Sequence, residues 1–117
     1  MISKSANEET SMFKLTVLYN LPPEMDAAEF VRWRTTDHQA ENAGMPGVIK
    51  TDFYIAVDNP DGTPPRYRYI TEVWWQTRAE LDVAFYDAKV QAQLAKDGET
   101  YTDRLFLVSE EIISSES

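Results

Sequence analysis

The sequence predicts one α+β domain in which strands and helices follow the order β-α-β-β-α-β. Three observations support this prediction. Four segments alternate apolar and polar side chains or are dense in aromatic and β-branched residues, as strands are. Two longer segments begin with a helix-capping signal and carry an apolar stripe. Clusters of proline, glycine, asparagine and aspartate separate these segments. We therefore expect a four-stranded antiparallel sheet with two helices on one face.

The first half of the domain is predicted to contain a strand, a helix and a second strand. The first strand covers residues 12–20, where apolar side chains alternate with polar ones. The helix begins at Asp26, an N-cap residue followed by Glu29, and ends at Gly44. Phe30, Trp33 and His38 are expected on one face of this helix. The second strand covers residues 48–57.

The second half is predicted to contain a strand, a helix and a last strand. Residues 58–65 are rich in Asp, Asn, Gly and Pro and form an exposed loop before a strand over residues 66–76. Thr77 and Glu80 form a capping box that starts the second helix, which ends near Asp97 and Gly98. The last strand covers residues 104–113. The domain thus spans residues 12–113, between a disordered N-terminal tail over residues 1–11 and a C-terminal tail over residues 114–117.

Composition excludes several classes of function. The 117 residues fit one domain, and their net charge of −9 opposes binding to nucleic acid or to anionic membranes. The absence of cysteine excludes disulfides, thiolate ligands and a thiol nucleophile. The polar start of the chain is not a signal peptide, and no apolar run is long enough to span a membrane. We expect a soluble cytoplasmic protein that uses no metal and no organic cofactor.

The third and fourth strands are apolar on both faces, although two helices cover only one face of a sheet. In the third strand, Ile70 and Trp74 lie opposite Tyr69, Val73 and Trp75. The fourth strand has Leu105 and Leu107 on one face, and Phe106 and Val108 on the other. A second copy that packs on the uncovered face would remove this apolar surface from water. The sequence therefore predicts a homodimer.

Two residues are candidates for catalysis. His38 is the only histidine, and histidine is the side chain whose ordinary pKa lies near neutrality, which suits a general acid or base. The alternative is a surface histidine without a role. Glu72 lies among apolar residues of the third strand, where burial can raise the pKa of a carboxyl group toward a catalytic value. The alternative is an exposed, alternating polar residue.

Aromatic side chains are the candidates for binding a ligand, because such rings line small-molecule pockets and a phenol can donate a hydrogen bond. The alternative is that the rings only pack. The predicted ligand-binding residues are Tyr19, Trp33, Tyr54, Tyr69, Trp74 and Phe85. No phosphate loop, dinucleotide fingerprint or nucleophile elbow is present. The acidic loop from Asp58 to Gly62 lacks the glutamate that a calcium loop needs, so we interpret it as a turn.

Several short motifs together resemble the EthD-like family of the dimeric α+β barrel superfamily over about residues 12–113. They are Phe30-x-x-Trp33-x-x-x-x-His38, Met45-Pro46-Gly47, the segment from Ile70 to Trp75 and the segment from Leu107 to Glu111. The family often has proline two residues after the histidine, where this chain has Ala40. The resemblance implies a ferredoxin-like subunit, an obligate dimer and an apolar cavity bordered by the first helix and the sheet. It also implies a role for His38, which matches the recurrent histidine of the family.

The resemblance leaves three classes of function open. The leading hypothesis is a cofactor-free enzyme that moves a proton on a small, largely apolar cyclic molecule, through His38 with Glu72 or a tyrosine assisting. Isomerisation or lactone rearrangement is favoured, followed by cofactor-independent oxygenation of a phenolic ring. The second class is a non-catalytic binding protein that holds the same ligand. The third and least favoured is a haem protein with His38 as axial ligand and Arg66 and Arg68 near the propionates.

Overall fold

The computed structural model describes residues 12–115, so the predicted N-terminal tail and the last two residues of the chain lie outside the described residues. The elements, in chain order, are β1 (Phe13–Asn20), α1 (Ala27–Thr35), α2 (Asp37–Ala43), β2 (Lys50–Ile55), β3 (Tyr69–Trp75), α3 (Arg78–Phe85), α4 (Ala88–Asp97) and β4 (Thr102–Glu110). The four strands form one antiparallel sheet in the order β2-β3-β1-β4. The predicted fold class, a ferredoxin-like βαββαβ arrangement, is confirmed.

The first predicted helix is divided into α1 and α2, because the backbone leaves the helical conformation at Thr36. The hydroxyl of Thr35 donates to the carbonyl of Val31, and the hydroxyl of Thr36 donates to the carbonyl of Arg32 at 2.6 Å. Such local bonds compete with the helical pattern, and Thr36 leaves the helical region at φ −118° and ψ −86°. The start of the first helix is as predicted, since Asp26 accepts from the backbone amides of Ala28 and Glu29.

The second predicted helix is also two helices. Thr77 caps α3 by accepting from the amide of Glu80, as the capping box predicts. The chain then leaves the helix at Tyr86, and Asp87 caps a new helix by accepting from the amides of Lys89 and Val90. Asp87 is therefore a second N-cap within the segment predicted to form one helix, and it sets the direction of α4.

Strands β2 and β3 are shorter than predicted, because β2 ends at Ile55 and β3 begins at Tyr69. Residues 56–68 form an exposed turn, in which Asn59 donates to the carbonyl and to the hydroxyl of Thr63, and Gly62 adopts a φ of 88°. Strand β4 begins two residues earlier and ends three residues earlier than predicted. These differences move the ends of strands without changing which elements pair.

All helices cover one face of the sheet, which we call the inner face. One core cluster packs α3 on the sheet through Leu81, Ala84, Leu15, Val73 and Trp75. Trp75 is completely buried and donates from its indole nitrogen to the carbonyl of Pro46 at 2.9 Å. The second cluster packs Phe30 of α1 against Tyr19 and Tyr69, with ring centroids 6.1 and 5.2 Å apart. These clusters hold α1 and α3, and a space remains beside α2 and α4.

The other face of the sheet, the open face, carries ordered rows of side chains. The register places Tyr54, Ile70, Leu18 and Leu105 in one apolar row across all four strands. A parallel row contains Lys50, Trp74 and Lys14, with both ammonium groups over the indole ring at 4.9 and 5.0 Å from its centroid. Leu105 remains 40% exposed and Tyr54 48% exposed, so no element of the described chain covers the apolar row.

Within residues 12–115, no helix has the length and apolar character that crossing a membrane requires.

Candidate functional site

A cavity of about 280 Å³ lies between the inner face of the sheet and the helices α2 and α4. Its lining is mostly apolar and includes Leu15, Val17, Val73, Trp75 and Phe85. Polar side chains from α2, α4, the segment before β4 and the sheet interrupt this lining: His38, Glu41, Asn42, Thr71, Lys89, Gln93, Asp97, Tyr19, Tyr101 and Arg104. A hollow whose surface is mostly apolar atoms, with polar groups at defined positions, is the usual form of a site for a small organic molecule.

His38 borders the cavity in a fixed orientation. Its ring stacks on the ring of Trp33, with centroids 4.5 Å apart and planes 16° apart. Its Nδ1 lies 2.9 Å from Oε1 of Glu41, one helical turn further along α2. Because an ionised carboxylate only accepts hydrogen bonds, this contact makes Nδ1 the donor and leaves Nε2 free to take a proton. The break at Thr36 is what turns α2 so that His38 folds back onto Trp33 of α1.

Four polar side chains form a network at the base of the cavity. Arg34, 1% exposed, donates from Nε and Nη2 to Oγ1 of Thr71 at 3.3 and 3.2 Å and from Nη1 to Gln39 at 2.7 Å. Thr71 is also 3.3 Å from the hydroxyl of Tyr19. Burial raises the pKa of Tyr19, and the contact with Thr71 and the charge of Arg34 oppose this rise. Burial also lowers the pKa of Arg34.

A second polar group lies where the chain enters β4. The Tyr101 ring packs against the Tyr19 ring with centroids 4.8 Å apart, and burial followed by the charge of Asp97 raises the pKa of Tyr101 above its usual range. Arg104 lies over the ring of Phe106, and its Nη1 is buried without an acceptor among the residues that the structure describes. Both tyrosines therefore present protonated phenols near neutral pH.

Three of the eight predicted site residues line the cavity, namely His38, Tyr19 and Phe85. Two others lie next to it. Trp33 supports the His38 ring and borders a neighbouring, more open depression that it shares with Tyr101. Tyr69 is 6% exposed and stacks against Tyr19 at 5.8 Å within the core, so its ring supports the wall from behind.

The remaining three predicted residues lie on the open face. Glu72 is 3.3 Å from the ammonium of Lys14, and Trp74 lies between Lys14 and Lys50. Tyr54 belongs to the exposed apolar row of the same face. The sheet therefore separates Glu72 from His38, and the structure does not bring together the two predicted catalytic residues. Alternation along β3 explains this, because Thr71 and Val73 face the cavity while Ile70, Glu72 and Trp74 face away.

Several polar residues of the site were not singled out from the sequence, among them Glu41, Arg34, Tyr101 and Arg104. The i, i+3 spacing of His38 and Glu41 on a helix is a usable signal for their contact. Arg34, Tyr101 and Arg104 have no such signal, because each reaches the site through packing between distant segments. Arg66 and Arg68, the candidates for haem propionates, lie at the end of the β2–β3 connection and do not line the cavity. Within the described part of the chain, no group of three acidic or imidazole side chains is arranged to hold a metal ion.

Comparison with known proteins gives one family match. The family model described as the EthD domain matches residues 22–105. No curated protein matches the chain.

Solved structures with the same fold are numerous but distant in sequence. A protein of the ethyl tert-butyl ether D (EthD) family from Bacillus halodurans has a TM-score of 0.67 and 23% identity, covering 86% of this chain and 99% of its own. A dimeric, ferredoxin-like protein of unknown function from Bacteroides fragilis has a TM-score of 0.58 and 17% identity over 86% and 96% of the two chains. SnoaB, a cofactor-independent oxygenase from Streptomyces nogalater, has a TM-score of 0.63 and 11% identity over 92% and 99%.

Proposed function

Because the chain belongs to the EthD domain family, we propose that it is a cofactor-free enzyme that transfers a proton on a small, largely apolar cyclic molecule. The cavity between α2, α4 and the sheet is the binding site, and His38 is the acid–base group. A volume of about 280 Å³ suits a molecule of one or two rings, since an engineered cavity of ~150 Å³ already admits benzene.

The observation that carries this proposal is the arrangement around His38. A general base needs one nitrogen free and a ring that does not rotate away from the substrate. The Trp33 ring holds the imidazole plane, and Glu41 engages Nδ1. The carboxylate also stabilises the imidazolium that forms when Nε2 takes a proton. We assign no catalytic step to Glu72, which lies across the sheet beside Lys14.

Two reactions begin with this step. In an isomerisation or lactone rearrangement, His38 removes a proton from carbon and returns it to another position. In cofactor-independent oxygenation, removal of the proton from a phenolic ring prepares it for oxygen. SnoaB is described as a cofactor-independent oxygenase with this fold, which supports the second reaction as the alternative. A protein that binds the same ligand without reaction would have the cavity but no turnover.

Solvent exchange tests the proton transfer directly. The protein is incubated with muconolactone and with a panel of monocyclic phenols in D₂O, and proton NMR follows incorporation of deuterium at carbon. We expect exchange with at least one compound, and a loss of ~10²–10⁴-fold in rate in His38→Ala, the usual contribution of a positioned acid or base. Glu41→Ala should lose less, because it orients the ring without taking the proton.

Arg78→Ala is the control, because Arg78 pairs with Asp82 on the surface of α3 and is not among the residues that line the cavity. It should keep the native exchange rate. Binding of a compound without exchange in the native protein would favour the binding-protein alternative. Native exchange rates in His38→Ala would show that another group carries the proton.

We also propose that the protein acts as a homodimer that packs through the open face. The apolar row of Tyr54, Ile70, Leu18 and Leu105 crosses the whole sheet, and no described element covers it. A two-fold axis through this face would place each row against its copy. The Bacteroides fragilis protein of the same fold is described as dimeric.

A further inference from the structure

Among residues 12–115, Arg34 is a buried cation without an acidic partner. Only 1% of its surface is exposed, and the groups that accept its hydrogen bonds are neutral oxygens, those of Thr71, Gln39 and Tyr19. Burying an arginine without a carboxylate is costly, and the fall in its pKa reflects that cost. The hydrogen bonds that join α1 to β3 do not require a charged residue, since a neutral amide side chain could donate them as well. The ring of Phe53, whose centroid lies 4.6 Å from the guanidinium carbon, offsets part of this cost. The remaining cost of the charge calls for another explanation.

Hydrogen-bond counting determines the direction of the Thr71–Tyr19 contact. A hydroxyl oxygen has two lone pairs and one proton. Both lone pairs of Thr71 Oγ1 are used, because Nε and Nη2 of Arg34 both donate to it. Thr71 must therefore donate its own proton to the Tyr19 oxygen, 3.3 Å away. The phenolic proton of Tyr19 is then free for an acceptor other than Thr71, and Tyr19 lines the cavity.

Arg104 provides a second donor without an acceptor in the same cavity. Its Nη1 is buried and unpaired among residues 12–115, although the side chain lines the cavity wall. Its guanidinium is held in place by the ring of Phe106 and by Gly98, where an added Cβ would lie 2.6 Å from Nη2. Buried N–H groups are almost always paired, so an unpaired one in a cavity wall indicates an acceptor on the molecule that fills the cavity.

We propose that the cavity binds a ring compound carrying an oxyanion, that Tyr19 donates a hydrogen bond to this oxygen, and that Arg34 orients Tyr19 through Thr71. Tyr19 is a binding residue and Arg34 is a positioning residue. The donor chain Arg34–Thr71–Tyr19 carries the effect of a buried positive charge to the ligand without exposing the guanidinium. The inference rests on the proposed function only in taking the cavity as the ligand site.

Benzoate and benzamide are a matched pair of probes, because they share one ring and one planar substituent but only benzoate is charged. Calorimetry gives the dissociation constants of both for the native protein. We expect benzoate to bind at least ~10-fold more tightly than benzamide, since hydrogen bonds to a charged group are stronger than those between neutral groups. Tyr19→Phe, which keeps the ring, should remove most of this preference and change benzamide binding by less than ~3-fold.

The residue that orients Tyr19 is tested by a second matched pair. Thr71→Ser keeps the hydroxyl relay and should keep the preference for benzoate, whereas Thr71→Val removes the hydroxyl at nearly constant volume and should behave as Tyr19→Phe does. A merely structural role of Thr71 would lower the affinities for both probes together. If Thr71→Val fails to fold, the preference for benzoate measured in Tyr19→Phe decides whether the oxyanion site exists.

The outcomes separate this inference from the proposed function. Equal binding of the two probes by the native protein, or an intact preference in Tyr19→Phe, would overturn the oxyanion site and leave the proton-transfer proposal standing. Binding of neither probe would contradict the ligand cavity itself, and both proposals with it. Preference for benzoate in His38→Ala as well as in the native protein would confirm that the oxyanion site is independent of the acid–base group.

Discussion

The two tyrosines of the cavity, Tyr19 and Tyr101, place polar hydroxyls among packed rings, with Tyr19 buried and Tyr101 partly buried. The pKa of Tyr101 is raised more than that of Tyr19, first by burial and then by the negative charge of Asp97. A phenol in this position stays neutral, so it can donate a hydrogen bond but cannot serve as a base near neutral pH. This leaves His38 as the group suited to take a proton, and it divides the cavity into a donor region and a basic region.

The raised pKa of Tyr101 predicts a loss of stability at alkaline pH. Above ~10, the ordinary pKa of tyrosine, the unfolded chain releases this proton while the folded protein retains it. The contribution is therefore fully present below pH ~10 and is lost as the pH rises through the raised pKa, at up to about 1.4 kcal/mol per pH unit. Urea unfolding at pH ~8 and ~11 should show a smaller loss in Tyr101→Phe than in the native protein.

The exposed ring of Tyr86 provides the control, and Tyr86→Phe should follow the native protein. Equal losses in Tyr101→Phe and the native protein would mean that the Tyr101 phenol ionises as freely in the folded protein as in the unfolded one.

At the scale of single residues, the sequence identifies chemistry but not neighbours. His38 could be found because it is the only histidine, and Tyr19 because it ends an alternating strand. The separation of Glu72 from the cavity has a simple physical cause: an acid in an apolar strand lies on one face of a sheet or the other, and the sequence does not say which face meets the helices. Arg34 was missed because a helical arginine is usually solvated, and only the packing of Phe30 and Phe53 around α1 buries it.

The broken helices show how local capping overrides an apolar stripe. In the second half of the chain, Leu81, Ala84 and Phe85 continue at helical spacing into α4, so periodicity favours one helix. Asp87 nevertheless accepts from the first two free amides of α4 and redirects the chain. Without this turn, α4 would continue the axis of α3, and the cavity would lose the wall formed by Val90, Gln93 and Leu94.

Removing this cap should weaken α4 in particular. Asp87→Ala is expected to cost about 1 kcal/mol, the usual value of an N-cap, because the amides of Lys89 and Val90 lose their acceptor. Thermal unfolding measures the change, and hydrogen exchange should locate it in residues 88–97. Asp58→Ala in the exposed β2–β3 turn also removes one negative charge, but Asp58 is not the N-cap of a helix. This variant should therefore keep the native melting temperature within error. Equal melting temperatures of the two variants would contradict the capping role.

Strand pairing was predictable and strand length was not. Alternation in β1 and the aromatic density of β3 specify which residues face the core, and the register bears this out in Leu15, Tyr69 and Val73. The ends of strands depend on where neighbouring strands stop. β3 begins only at Tyr69 because its partner β2 ends at Ile55 and the turn between them closes through side-chain bonds of Asn59.

For the whole molecule, the proposed homodimer is tested by the mass of the protein in solution. We expect size-exclusion chromatography with light scattering to give about twice the chain mass of 13.4 kDa at about micromolar concentration. Ile70→Glu places a charge in the middle of the apolar row and should shift the protein toward the monomer.

Val83→Glu is the matched control, because Val83 is 68% exposed on α3 and lies away from the open face. It introduces the same charge at an apolar surface residue and should leave the dimer intact. A monomeric native protein would refute the proposed packing, and monomers from both variants would point to a general effect of charge.

Helix α4 forms one wall of the cavity but has no buried residue of its own. Both core clusters are built from the sheet, α1, α3 and the segments that flank them. The wall that α4 contributes to the cavity is therefore separate from the core clusters, whereas the opposite wall, on the sheet, is part of the core. Over evolutionary time, such a division lets selection remodel α4 to accept new molecules with little loss of stability, so one scaffold can diversify its chemistry by drift and selection along a single helix.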